Sequence, residues 1–178
     1  MTSVRRQRLR PDVYSAQCSA ALLTFCSKKR HRVFDRPNAC EIVIAHLNDL
    51  HGSSWAVLGY VIMPDHAHTV VLNRNASLIQ FVRLLKGRSS ADLRKRLGLR
   101  GVWQQSFHDR MLRRGEDLGT VIRYMFENPV RAGLVEFWAD WPWVGSCMWP
   151  QLGTMLGETD IGNIRWKDAL INTVAGRG

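Results

Sequence analysis

The apolar residues of this chain recur at spacings that change from segment to segment, and each spacing predicts an element. Ala20 to Cys26 is a nearly continuous apolar run and predicts a buried strand, closed by the basic turn Ser27 to Arg32. From Asn38, an expected N-cap, Ile42, Ile44, Ala45 and Leu47 keep the helical period for about three turns, until His51-Gly52 stops them. Trp55 to Met63 and His66 to Leu72 are two further strands, joined at the corner Pro64-Asp65. A second helix is expected from about Ser77, with Ile79, Phe81, Val82, Leu85, Leu93 and Leu97 as core positions. Gly87 inside it costs about 1 kcal/mol relative to alanine, which makes Lys86-Gly87-Arg88 a candidate break. Val102 to Leu112 predicts a fourth strand. A third helix is expected from Glu116 to about Asn128; its acidic start suits the positive end of the helix dipole, and Pro129 disfavours helical geometry at Asn128. The segment beyond, with Trp138, Trp141, Trp143 and Trp149, reads as irregular packing.

Strand, helix, strand, strand, helix, strand is the split βαβ order, which predicts an α+β, ferredoxin-like fold. The expectation is an antiparallel sheet with helices on one face, plus an extra C-terminal helix that carries Tyr124. Residues 1–19 are expected to form a basic N-terminal arm, 20–146 the domain, and 147–178 a variable tail. A chain of 178 residues suits one such domain.

Charge changes the picture more than composition does. Twenty-five basic residues oppose 15 acidic ones, for a formal charge of +10. Such an excess favours a polyanionic partner. It is uneven: nine Lys/Arg stand against Asp12 and Asp35 through Arg36, whereas three oppose five acids from Leu134 onward. Arg5, Arg6, Arg8 and Arg10 read either as a solvated tail or as an arm that orders on a phosphate backbone. On the second helix Arg83, Lys86, Arg88, Arg94, Lys95 and Arg96 face one acid, Asp92, so few i,i+4 partners exist and phosphate binding is favoured over a merely solvated face. The four cysteines show neither C-x-x-C spacing nor a disulfide framework, which suits free thiols in a reducing cytoplasm. No run approaches the roughly 20 apolar residues of a membrane helix.

The candidate chemistry starts from His66-Ala67-His68. In a strand, residues i and i+2 share a face, so the two imidazoles stand side by side as half of a divalent-metal site. Asp65 and Glu127 are candidate further ligands. On the third helix Leu118, Val121, Ile122, Met125 and Phe126 form one apolar stripe. Tyr124 and Asn128 lie roughly 90–130° from its centre and, being i and i+4, are neighbours. That tyrosine reads either as a core-sealing aromatic or as a nucleophile. A phenol beside a metal-bound phosphate is competent for phosphoryl transfer when a cation or base assists its ionisation. His108 and Asp109 resemble an acid/base pair, but adjacent strand residues face opposite ways, so at most one can join the site.

Together these residues carry a resemblance. Tyr60-Val61-Ile62-Met63-Pro64 before His66-Ala67-His68, with Tyr124-Met125-Phe126-Glu127-Asn128-Pro129-Val130-Arg131-Ala132-Gly133-Leu134-Val135 downstream, is similar to the bacterial single-tyrosine transposases with a His-hydrophobe-His motif. Within these it most resembles the REP-associated branch, tied to repetitive extragenic palindromes. Thr24-Phe25-Cys26, Leu85-Lys86-Gly87, Trp103-Gln104 with Ser106-Phe107, and Trp141 to Ser146 extend the match over roughly Leu22 to Ser146. The resemblance implies cleavage of single-stranded or hairpin DNA through a covalent 5′-phosphotyrosine on Tyr124. It also implies that His66, His68 and Asn128 ligate Mg²⁺ or Mn²⁺, and that the basic helix face and Arg131 hold DNA. A monomer or homodimer acting in the cytoplasm, at the nucleoid, is expected. The chain departs from that family at Asp65, where Asn is frequent, at Ala67, usually bulkier, at Arg110, where a histidine is expected, and at Gln105, where arginine is common. A non-catalytic hairpin-binding protein on the same scaffold is the main alternative. An RNA-binding module is disfavoured, because the strands offer no clear pair of exposed aromatics.

Overall fold

The computed structural model describes residues 19–113 and 115–149. The expected arm, with Arg5, Arg6, Arg8 and Arg10, and nearly all of the expected tail lie outside the described residues.

The elements are β1 (Ala20–Cys26), α1 (Pro37–Leu50), β2 (Trp55–Met63), β3 (His66–Asn73), α2 (Leu78–Leu97), β4 (His108–Met111), α3 (Leu118–Phe126), α4 (Asn128–Arg131) and β5 (Val144–Gly145). The strands form one sheet in the order β4-β1-β3-β2-β5, and each neighbouring pair is antiparallel. The first four strands in the order β4-β1-β3-β2 are the split βαβ arrangement that the element order predicts.

Alternation along the strands sends side chains to two separate cores. Ala21, Leu23, Phe25, Val57, Ile62 and Val71 pack with α1 and α2 through Val43, Leu47, Phe81 and Leu85, and with Phe34 of the turn before α1. Ala20, Leu58, Val61, Val70 and Leu72 pack instead with Leu118, Ile122, Met125 and Phe126 of α3. So α1 and α2 cover one face, as expected, and the extra helix covers the other. Gly59 makes that second packing close: a Cβ there would stand 3.0 Å from Met125 Cε and 3.3 Å from Phe126 Cε1. The β2 backbone also carries an irregularity between Val57 and Gly59.

Local chemistry explains where the elements begin and end. Pro37, pre-set for the first helical turn, starts α1 ahead of the expected Asn38 cap. Ser77 caps α2, its hydroxyl accepting the Ile79 amide at 3.2 Å. The helix then runs unbroken through Gly87 to Gly98, whose φ of 70° closes it. Leu85, Ser89 and Leu93 are buried on both sides of Gly87, so packing overrides its low propensity. Asp117 caps α3, accepting the amides of Gly119 at 3.1 Å and Thr120 at 3.0 Å.

The expected fourth strand is mostly absent. Only His108–Met111 pairs with β1, and Trp103 makes an isolated bridge to Ser27. Trp103 turns into the core against Phe25 and Phe34, and its indole N–H donates to Ser89 Oγ at 2.9 Å. The Lys86 ammonium donates to the carbonyls of Gln104 at 3.0 Å and Ser106 at 2.7 Å, diverting them from a strand ladder. A fifth strand, unforeseen in the sequence, is only Val144-Gly145. Trp141 Nε1 donates to the Ile62 carbonyl at 2.9 Å and the Ile62 amide to the Trp143 carbonyl at 2.9 Å, which seats this segment beside β2. Gly145 is needed there, because a Cβ would fall 2.5 Å from the Tyr60 hydroxyl. No helix among the described residues is long and apolar enough to cross a membrane.

Candidate active site

His66 and His68 lie on β3, in the middle of the sheet, opposite Cys26 and Thr24 of β1 and Met63 and Val61 of β2. They share a face with Val70 and Leu72, which is the face that α3 covers. The rings stand 4.7 Å apart between centroids at 87°, edge to face. His66 Nδ1 meets Asp65 Oδ1 at 2.5 Å. A carboxylate only accepts, so this bond places the His66 proton on Nδ1 and leaves the Nε2 lone pair free. His68 Nδ1 meets the Thr24 hydroxyl at 2.9 Å. Burial, reinforced by the Coulombic influence of neighbouring His66, Arg131 and Arg30, pulls the His68 pKa down to about 3 against the opposing pull of Asp65. His68 is therefore a neutral imidazole, the form in which histidine ligates a metal.

Tyr124 extends from the last turn of α3 and is 62% exposed. The expected single helix through Asn128 is interrupted at Glu127, and Asn128 begins the short α4. Arg131 restores the link between the two residues. Its Nη2 donates to the Tyr124 carbonyl at 2.7 Å and to Asn128 Oδ1 at 3.0 Å, and its guanidinium carbon lies 4.0 Å from the Tyr124 ring centroid. Asn128 Nδ2 donates to the Met125 carbonyl at 2.7 Å, which fixes the amide's orientation. The amide oxygen keeps a second lone pair. Among the described residues no group of three or more His, Cys, Asp or Glu could hold a metal ion. Two imidazoles and one amide oxygen nevertheless suit a divalent cation that also takes oxygens from its substrate.

The candidate phosphate-binding residues divide. Arg83, Arg88, Arg94 and Lys95 are exposed on α2, and the one acid of that helix, Asp92, is held by His46 Nε2 of α1 at 3.0 Å. Lys86 points inward, held by the two carbonyls and set 5.7 Å from the centre of the Phe25 ring and 5.8 Å from that of Phe107. This basic surface lies across the sheet from the histidine pair. Closer to the pair is the turn after β1, where Lys28, Lys29 and Arg30 are exposed and Arg30 Nη1 stands 3.4 Å from Asp65 Oδ2.

Sequence reasoning missed Thr24 and Arg30, because only the strand register reveals that they border the histidines. Asp65, a candidate further ligand in the sequence, is the hydrogen-bond partner of His66 Nδ1. Of His108 and Asp109, the register selects His108: it pairs with Thr24, which pairs with His68, so the three share one face. Arg110, on the same face, ion-pairs with Glu116 and ties β4 to the segment before α3.

The ferredoxin-like sheet thus carries a histidine pair on one face, with a tyrosine-bearing helix across that same face. The model of the IS200-like transposase family matches residues 16–127, and the chain belongs to that family. A curated Haemophilus influenzae protein named as a REP-associated tyrosine transposase is 33% identical over 94 residues, covering 46% of this chain and 53% of that protein. The chain thus spans about half the length of the curated relative it matches. A solved structure of a REP-associated tyrosine transposase bound to a REP hairpin superposes with a TM-score of 0.61 at 18% identity, covering 89% of this chain and 87% of the other. That likeness shows the fold.

Proposed function

We propose that this transposase cleaves and rejoins single-stranded, hairpin-containing DNA in the cytoplasm with the help of a divalent cation, through a 5′-phosphotyrosine on Tyr124. The observation that carries the reading is that His66 and His68 share one sheet face with the helix bearing Tyr124. Tyr124 Oη gives up its proton and attacks the scissile phosphorus; the new Oη–P bond forms as the bond to the 3′ oxygen breaks, and the departing 3′ oxygen takes up a proton in its place. Rejoining is the reverse: a DNA 3′-hydroxyl displaces Tyr124, so the phosphodiester energy is conserved throughout. His66 and His68 Nε2, with Asn128 Oδ1, would hold Mg²⁺ or Mn²⁺. The cation supplies Lewis-acid polarisation of the phosphate and stabilises charge building on its oxygens. Arg131 holds the Tyr124 carbonyl and Asn128 together and places a positive charge beside the phenol ring. Arg83, Arg88, Arg94 and Lys95, with the N-terminal arginines, would grip DNA by its phosphates.

The test is a covalent-adduct assay. The full chain incubated with a single-stranded hairpin oligonucleotide and Mn²⁺ should yield a denaturation-resistant protein–DNA species, and Tyr124→Phe should abolish it while binding persists. An adduct that survives in Tyr124→Phe overturns the nucleophile assignment. Wild-type chain that binds the hairpin without ever forming an adduct favours the non-catalytic alternative.

A further inference from the structure

The corner between β2 and β3 carries an arrangement that the reaction above does not use. The Asp65 carboxylate is bridged: Oδ1 meets His66 Nδ1 at 2.5 Å, and Oδ2 lies 3.4 Å from the Arg30 guanidinium. Arg30 arrives there through a constrained backbone. Lys29 and Arg30 both have φ of 57°, a left-handed conformation in which the Cβ of an L residue crowds its own backbone. Such conformations persist only where the surrounding structure dictates them, and here the responsible bonds are identifiable. The Ser27 amide donates to the Asp65 carbonyl at 2.9 Å, the Lys28 amide to the Val102 carbonyl at 2.6 Å, and the Phe34 amide to the Pro64 carbonyl at 2.9 Å. The Ser27 hydroxyl closes the turn by donating to the His31 carbonyl at 2.7 Å. Backbone bonds to Pro64 and Asp65 thus lock the turn that presents Arg30 to the Asp65 side chain.

We propose that Asp65 is a positioning residue for His66, and that Arg30, delivered by the strained turn, holds Asp65 in that role. This rests on the reading of His66 as a metal ligand. A ring nitrogen can ligate only when its partner nitrogen carries the proton, and the hydrogen bond at that partner decides which tautomer exists. The Asp65 carboxylate fixes the proton on Nδ1, sets the rotation of the ring, and leaves the Nε2 lone pair for the cation. Arg30 occupies the second carboxylate oxygen, so Asp65 cannot rotate away from the imidazole or turn both oxygens toward the cation.

The experiment reads tautomer and metal affinity separately. The full chain, labelled with ¹⁵N-histidine and free of metal, is studied by long-range ¹H–¹⁵N correlation at a pH well above the ordinary imidazole value of about 6.5. Mn²⁺ binding is followed by loss of the free-ion paramagnetic resonance signal. Wild-type His66 should carry its proton on Nδ1. Asp65→Ala should move it to Nε2 and weaken Mn²⁺ binding about 10- to 100-fold, the range for removing the partner of a metal-bound histidine. Asp65→Asn retains an acceptor oxygen and a near-identical shape; it should keep the Nδ1 tautomer and lose less affinity than Asp65→Ala. Asp65→Ala with wild-type tautomer and wild-type Mn²⁺ affinity, alongside His66→Ala that loses Mn²⁺, would overturn the positioning role and leave the metal site standing. A wild-type chain that takes up no Mn²⁺ would overturn the metal reading and this inference with it.

Discussion

The two faces of the sheet are built from the same five strands to opposite ends. The face under α1 and α2 is closed by large apolar side chains, with Phe25, Phe34, Phe81 and Leu85 all but inaccessible. The other face is closed under α3 by Leu58, Val70, Leu72 and their neighbours, and toward the β2–β3 corner it carries His66 and His68 beside Met63 and Val61. One β3 strand serves both, because alternation sends Val71 to the first core and Val70 to the second. Stability and the proposed chemistry are therefore separable here: one face anchors the sheet, and the other presents the histidine pair on that anchor.

The sharpest way to break that division is to mutate both faces and measure both properties. Phe81→Ala removes a fully buried ring at the α2–sheet interface and should cost about 3–5 kcal/mol of folding stability. Tyr124→Phe removes an exposed hydroxyl and should change stability by no more than about 0.5 kcal/mol, yet abolish the covalent adduct. Thermal unfolding and the adduct assay on both variants check this. A Tyr124→Phe chain as unstable as Phe81→Ala would mean that the site face is also part of the anchor.

His68 tests the boundary between the faces. It is buried enough to be forced neutral, its pKa pulled from the ordinary 6.5 to about 3. The unfolded chain takes up a proton below its ordinary value that the folded chain refuses. The stability contribution is therefore full above about pH 6.5 and is lost progressively as the pH falls toward 3. Carboxylates add their own acid sensitivity, so the test is a difference. Metal-free His68→Gln should lose less melting temperature than wild type between about pH 6.5 and about pH 4.5, inside that window. Equal losses in the two proteins would show that His68 is not the group refusing the proton.

This division was only half legible in the sequence. Strand alternation and helical stripes are local properties, so β1, β2, β3 and α2 could be read from the order of Leu, Val, Ile and Phe, and the His66–His68 pair followed from the same alternation. Which face α3 would cover could not be read, because its stripe of Leu118, Ile122 and Met125 fits either side; Gly59 decides it from a strand far away in sequence. Trp103 ended a strand that its neighbours would have continued, since one indole donating to Ser89 outweighs several weak local preferences. Thr24 and Arg30 joined the site only through register and a left-handed turn, neither of which has a sequence period.

The smallest expected effect bears on which face meets the DNA backbone. The exposed bases of α2 belong to the anchoring face, and Asp92 does not neutralise them because His46 holds it. They can then grip phosphates without disturbing the chemistry on the far side. Removing one phosphate-neutralising side chain should lower the slope of log affinity against log salt by about 0.7 for single strands or about 0.9 for duplex. Arg83→Ala with Arg94→Ala should thus flatten the slope by about two such steps, while the fraction of bound DNA converted to adduct stays at the wild-type value. Lys28→Ala with Lys29→Ala, in the turn beside Asp65, is the opposing arm. A slope that ignores the α2 pair but flattens for the turn pair would place the grip at the site end of the sheet. DNA would then be held and cut on one surface, and α2 would be left with the anchoring role alone.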